Sequence, residues 1–134
     1  MNFRNDCLRL GAKGESTFVA LQFYYALSIL QIFAEYKKDM DYLKYLRQKQ
    51  DELGETIQKL CWDKDRFIRG YTEDGRQIGA SSDPEASLWL NPQSWAVISR
   101  LADNAQADAI LDSVYQAPGG GFLPGHFGRQ GHFP

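Results

Sequence analysis

The sequence predicts a mainly α fold: about four helices, read as consecutive αα-hairpins of a larger helical array, with a small β-hairpin inserted at one helix connection. Three observations carry this. Residues 17–34 are free of formal charge and apolar nearly all the way round. Residues 43–60 repeat leucine and isoleucine at spacings near three, four and seven between charged positions. Between residues 66 and 79 the period shortens around Asp74-Gly75, a turn pair that favours a hairpin.

The elements follow in order. Gly14, Glu15 and Ser16 offer a breaker, a carboxylate suited to the positive end of a helix and an N-cap hydroxyl, so the first helix is expected to start near Glu15 and run to Tyr36. A helix apolar all round wants neighbours on several sides, whereas each helix of a lone four-helix bundle needs one apolar stripe. After Lys37, Lys38 and Asp39, the stripe Leu43, Leu46, Leu53, Ile57 and Leu60 predicts an amphipathic outer helix; Gly54 within it marks a kink or a close helix contact. Residues 66–71 and 77–79 form the hairpin, and 80–85 is a loop. Residues 87–90 suit a strand or an extended loop. Asn91 as N-cap and Pro92 at the first helical position open a third helix through Ala102. Asp103 or Asn104 caps a fourth, whose inward stripe is Ala107, Ile110, Leu111 and Val114 and whose end is near Gln116.

Residues 1–116 are therefore expected to hold the folded part and 117–134, rich in glycine and proline, to be poorly ordered. His126 and His132 both fall in that tail, so no metal site is expected. The 134 residues match the usual size of one domain, and 43% hydrophobic content argues against disorder. A formal charge of −2 lacks the basic footprint of a nucleic-acid binder. Cys7 and Cys61 form neither a disulfide framework nor a CxxC pair, and residues 1–10 hold no uninterrupted apolar stretch of a signal peptide, which together point to the cytoplasm. The uncharged run over 17–34 is long enough to raise a membrane span, but Gln22, Ser28 and Gln31 are spread along it, and Tyr24 and Tyr25 would sit in hydrocarbon. A buried helix of a soluble protein is the preferred reading, with no membrane partner.

Several motifs in succession carry a resemblance: Asn5-Asp6-Cys7-Leu8, then Gly11-Ala12-Lys13-Gly14-Glu15-Ser16, Cys61-Trp62-Asp63, Phe67-Ile68-Arg69-Gly70-Tyr71, and Asn91-Pro92-Gln93-Ser94-Trp95. In this order and spacing the chain resembles the catalytic domain of family-94 glycoside phosphorylases, the cellobiose, cellodextrin, chitobiose and laminaribiose phosphorylase type, over residues 5–114. The resemblance implies that the helices are part of an (α/α)6 barrel, several times longer than the helical part seen here, so the chain is expected to be a fragment of that domain.

The resemblance also implies an inverting reaction in which inorganic phosphate, a co-substrate rather than a cofactor, attacks the anomeric carbon of a β-linked disaccharide or oligosaccharide and releases an α-sugar 1-phosphate. An inverting hydrolase needs an acid and a base. Phosphate is already an anionic nucleophile, so a general acid suffices, and a carboxylic acid kept protonated by an apolar pocket fills that role. By resemblance that acid is Asp6. Asn5 and Arg4 flank it as candidate sugar contacts; Arg4 stands where the family has tryptophan and would stack only through its guanidinium plane. Glu15, Gln93 and Trp95 lie at the starts of expected inner helices, the ends that face a barrel mouth. All three are candidate sugar contacts; Glu15 has capping as a plainer alternative and Trp95 core packing. Trp62 and Trp89 read as core residues. The family's phosphate-binding Arg, His and Thr segments have no counterpart, so the phosphate-binding residues are unknown. As partners, a homodimer or the missing remainder of the barrel is expected to cover the first helix. Two other classes stay open: a non-catalytic helical interaction module whose first helix docks on another chain, and a hydrolytic (α/α)6 relative.

Overall fold

The computed structural model describes residues 14–84 and 86–116. In order they form β1 (Glu15–Ser16), α1 (Thr17–Lys37), α2 (Met40–Cys61), β2 (Trp62–Asp63), β3 (Arg66–Phe67), β4 (Gly70–Tyr71), β5 (Gln77–Ile78), α3 (Leu90–Ile98) and α4 (Asn104–Gln116). The described part is thus mainly α, four helices with a small antiparallel insertion between α2 and α3, as the sequence predicts. The expected disorder of 117–134 and the two histidines fall outside the described residues.

The insertion is more divided than one hairpin. β2 and β3 pair as a short ribbon, while β4 sits between β1 and β5 in a second antiparallel sheet. The start of α1 changes as a result. Glu15 and Ser16 are extended opposite Tyr71 and Gly70, and the helix begins at Thr17. Ser16 holds the cap position but its hydroxyl makes no capping bond; the Thr17 N–H donates to the Arg69 carbonyl at 3.0 Å instead. A strand satisfies the free donor that a cap would otherwise take.

α1 and α2 form an αα-hairpin. Lys38 closes α1 in a left-handed conformation with its N–H on Glu35, and Asp39 accepts from the Tyr42 N–H at 3.0 Å to cap α2. The buried line of α2 is Leu43, Leu46, Gly54, Ile57 and Cys61. Cys61 takes the last inward place predicted for Leu60, which is 45% exposed. Gly54 marks the close contact expected of it: a Cβ there would come within 2.9 Å of the Tyr24 ring on α1. Gln31 donates to Gln50, and Gln50 donates to the Tyr24 carbonyl at 3.1 Å, so the seam between the helices is partly polar.

α3 begins at Leu90, one residue before the predicted cap Asn91, and stops at Ile98 rather than at Ala102. Pro92 then occupies the third helical position, where the missing N–H still costs no intrahelical bond. The stop comes at Arg100, left-handed with φ 61°, after which Leu101 and Ala102 N–H groups both donate to the Ala96 carbonyl. Asp103 caps α4 reciprocally: its carboxylate accepts from Gln106 N–H at 2.8 Å while the Gln106 amide oxygen accepts from Asp103 N–H. α4 turns Ile110 and Ser113 inward and leaves Leu111, predicted on the stripe, 54% exposed. Ser113 donates to the Asp65 carboxylate at 2.6 Å, so a polar contact with the β2–β3 turn sets the helix's rotation.

The main core joins Leu21, Ile57, Phe67, Ile68, Ala80, Ala96 and Ile110; a second cluster, Leu27, Ala34, Leu43 and Leu46, lies along the hairpin. α1 is covered by α2 on one side and α3 on another, and Val19, Phe23, Ile32 and Phe33 remain more than half exposed. By length and hydropathy alone α1 would reach across a bilayer.

Gly70 is held by sterics, since a Cβ would lie 2.1 Å from the Glu15 carbonyl oxygen. Gly70→Ala should therefore break the β1–β4 pairing and lower stability by about 1–3 kcal/mol, read as a shift in the urea midpoint. Gly75, with φ +81° and open space around it, should lose only about 1 kcal/mol on the same change. A second expectation concerns pH. The Arg66 guanidinium, with help from Ser113, holds Asp65 down to about 2 from 3.8. A depressed carboxylate adds stability above the unfolded value and loses it as pH falls through the folded one. The melting temperature should drop between about pH 4 and 2, and Asp65→Asn should flatten that limb relative to the parent.

Candidate functional site

The first turns of α1 and α3 are tied to one extended segment, Phe67–Arg69 in the chain. At α1 the tie is the Thr17 N–H on Arg69. At α3 it is a side chain. The Gln93 amide oxygen accepts from Phe67 N–H at 2.8 Å, and its nitrogen donates to the Phe67 carbonyl at 2.7 Å and the Trp89 carbonyl at 2.9 Å. Gln93 is 1% exposed. It was predicted as a sugar contact; with its amide committed to two backbone segments it is a positioning residue, because turning toward a ligand would strand a buried N–H and C=O.

Glu15 and Trp95 are placed differently. Glu15 is exposed on β1, at the mouth of a cavity of about 110 Å³ lined by Thr17, Thr56, Cys61 and Tyr71 among others. It does not cap α1. Trp95 is half-buried on α3 and meets Phe18 and Tyr25 of α1 edge-on, at centroid distances of 5.9 and 6.1 Å. The core-packing alternative describes that contact. Arg4, Asn5 and Asp6 lie outside the described residues, and the chain from them enters the fold through Gly14 and β1.

Arg69, which the motifs do not single out, is a buried structural residue beside these positions. It is 7% exposed and its guanidinium stacks over the Trp89 ring at 3.9 Å. In the sequence it stands between the apolar pair Phe67-Ile68 and the obligatory Gly70, which is the one local sign of its burial. Trp89 in turn lies against Gly79, where a Cβ would come within 2.7 Å of the ring and φ is +77°. Trp62 packs edge-on against Phe67 at 5.0 Å, the core role expected of it. In the cavity wall, burial pushes the Cys61 thiol up, with the Thr17 hydroxyl pulling against it. A raised pKa makes that thiol a packing residue rather than a nucleophile. Among the described residues no three His, Cys, Asp or Glu side chains group to hold a metal.

Gln93→Leu should leave the Phe67 N–H and C=O unpaired in the core and cost about 2–4 kcal/mol, measured by chemical denaturation. Trp95→Phe, which keeps an aromatic edge against α1, should cost less.

Comparison with known proteins gives this geometry a family. Residues 3–118 match the glycosyl hydrolase 94 superfamily, catalytic domain. The chain is 31% identical over 79% of its length to a 3-O-beta-D-glucopyranosyl-beta-D-glucuronide phosphorylase of Paenibacillus borealis. It is 31% identical over 76% to a cellobionic acid phosphorylase of Neurospora crassa. To an N,N'-diacetylchitobiose phosphorylase of Vibrio furnissii it is 29% identical over 84%. It covers 14%, 13% and 14% of those proteins, so it spans about a seventh of their length. The chain belongs to the glycosyl hydrolase 94 superfamily, matching part of its catalytic domain.

Proposed function

We propose that this chain is part of an inverting glycoside phosphorylase, whose complete catalytic domain is an (α/α)6 barrel acting on a β-linked disaccharide or oligosaccharide with inorganic phosphate. The observation that carries this reading is the match of residues 3–118 to one catalytic domain, together with relatives that are themselves named as disaccharide phosphorylases.

In this reading Asp6 donates its carboxyl proton to the glycosidic oxygen. The bond from that oxygen to the anomeric carbon breaks as a phosphate oxygen bonds to the carbon from the opposite face, which inverts the configuration to an α-sugar 1-phosphate. The second sugar leaves with the proton from Asp6. No cofactor is required, because phosphate supplies the nucleophile and the carboxyl the acid. Arg4 and Asn5 flank the acid in the chain, and Glu15, at the start of α1, is a further sugar contact, while Trp95 keeps its packing role against α1. Gln93 and Gly70 act through the backbone: Gln93 holds β3 at Phe67, and Gly70 lets β4 pair with β1, the strand that follows the Asp6 segment in the chain. The reaction takes place in the cytoplasm and needs neither nucleic acid nor membrane.

The test is phosphorolysis followed by phosphorus NMR. The 134-residue chain alone should release no sugar 1-phosphate from β-linked disaccharides, and a longer polypeptide that contains it should release the α-anomer. In that longer polypeptide Asp6→Asn should lower kcat by about 10²–10⁴-fold. A β-anomer, or sugar release that proceeds without phosphate, would overturn the reading.

A further inference from the structure

The described residues between β5 and α3, 79–84 and 86–89, form neither strand nor helix, yet side chains hold them from both sides. At the start of this connection the Asp83 carboxylate accepts from the Gly79 and Ala80 N–H groups at 2.7 and 3.2 Å, closing residues 79–83 on themselves. The rest of the grip comes from the insertion, at every third residue: Asp63, Arg66 and Arg69. The Asp63 carboxylate accepts from the Ser81 N–H at 2.5 Å. Arg66 donates to the Ser87 carbonyl and hydroxyl at 3.3 and 3.4 Å. Asp65 takes two other nitrogens of that guanidinium at 2.7 and 3.0 Å, and this paired contact fixes the direction of the fork. Arg69 stacks on Trp89, the last residue before α3. Ala86, between these holds, is left-handed at φ 54°, a shape that costs a non-glycine residue energy and persists only where its surroundings impose it.

We infer that Asp63 and Arg66 are positioning residues for the phosphorylase reaction: they hold the approach to α3 in one shape before a sugar arrives. The inference rests on the proposed function, in which the start of α3 faces the barrel mouth. Every contact in the clamp joins two described parts of this chain, so it is in place whatever covers α1. A connection without such holds would have to be ordered as the sugar binds, and the lost conformational freedom would weaken binding. One that is already held spares that cost. Both residues act through the loop, Asp63 through Ser81 and Arg66 through Ser87. The cost they remove falls equally on the bound substrate and the transition state, so its signature is in KM rather than kcat. Arg69 is 7% exposed and serves the core as well, so Asp63 and Arg66 are the pair that separates positioning from stability.

Two measurements test the inference. In the 134-residue chain, amide hydrogen exchange followed by NMR reads the clamp directly. Asp63→Ala removes a charge-assisted bond and should speed exchange at Ser81 by about tenfold or more, while the Leu21 amide in the core keeps the parent's rate. Asp63→Asn retains an acceptor oxygen and should restore most of the protection. In the longer polypeptide, Asp63→Ala and Arg66→Met should each raise KM for the β-linked disaccharide by about three- to tenfold with kcat within about twofold of the parent. Asp63→Asn should bring KM back toward the parent's. Unchanged exchange at Ser81 in Asp63→Ala, the parent's KM in both Asp63→Ala and Arg66→Met, or a fall in kcat at unchanged KM would each overturn the inference. A parent polypeptide without phosphorolysis would overturn the proposed function and the inference with it, an outcome told apart by the inactive parent.

Discussion

The fold depends on how the short extended segment from Phe67 to Tyr71 has its backbone satisfied. It is buried, so each N–H and C=O in it needs a partner. Too few residues pair as strand to provide them. The partners come from four places: the Gln93 side chain for Phe67, the Cys61 carbonyl for the Ile68 N–H, the Ile78 carbonyl for the Arg69 N–H, and the Thr17 N–H for the Arg69 carbonyl. Each of those groups sits at the end of a helix or strand. Satisfying one segment therefore fixes where α1 and α3 begin, where α2 ends, and where the return strand lies. Phe67 and Ile68 fill the core between them, both fully buried.

That arrangement explains why the caps look incomplete. α1 lacks a side-chain cap because the Arg69 carbonyl is its cap, and the Gln93 side chain, reaching back to the Trp89 carbonyl, reinforces the early start of α3. At the far ends, where no strand is at hand, ordinary side-chain caps return. Asp39 caps α2, and Asp103 with Gln106 caps α4.

Much of this was legible in the residues. The amphipathic stripe gave α2 to within a few residues, Gly54 marked a kink or a close helix contact and proved to be the contact, and Asp103, one of the two predicted caps, caps α4. Leu60 and Leu111 were misplaced for one reason: a leucine next to the inward line satisfies the period as well as one on it, and the choice fell to neighbours distant in sequence. Cys61 packs against the start of α1, and Ser113 bonds Asp65 across 48 residues. Gln93 was singled out for its motif, but its role depended on Phe67, 26 residues away. Arg69 over Trp89 was hidden for the same reason.

By itself the sequence determined the helical class, the position of the insertion, the uncharged and all-round apolar character of α1, and the ordered motifs that place the chain in its family. These are properties of composition and of spacing within one element. Only the tertiary structure decided which side of α1 is covered, where α1 and α3 start, and whether the polar residues near those starts face solvent or hold the backbone. Those outcomes turn on which buried N–H or C=O lacks a partner once the elements meet, and a hydrogen bond between distant residues leaves no periodic trace in the chain.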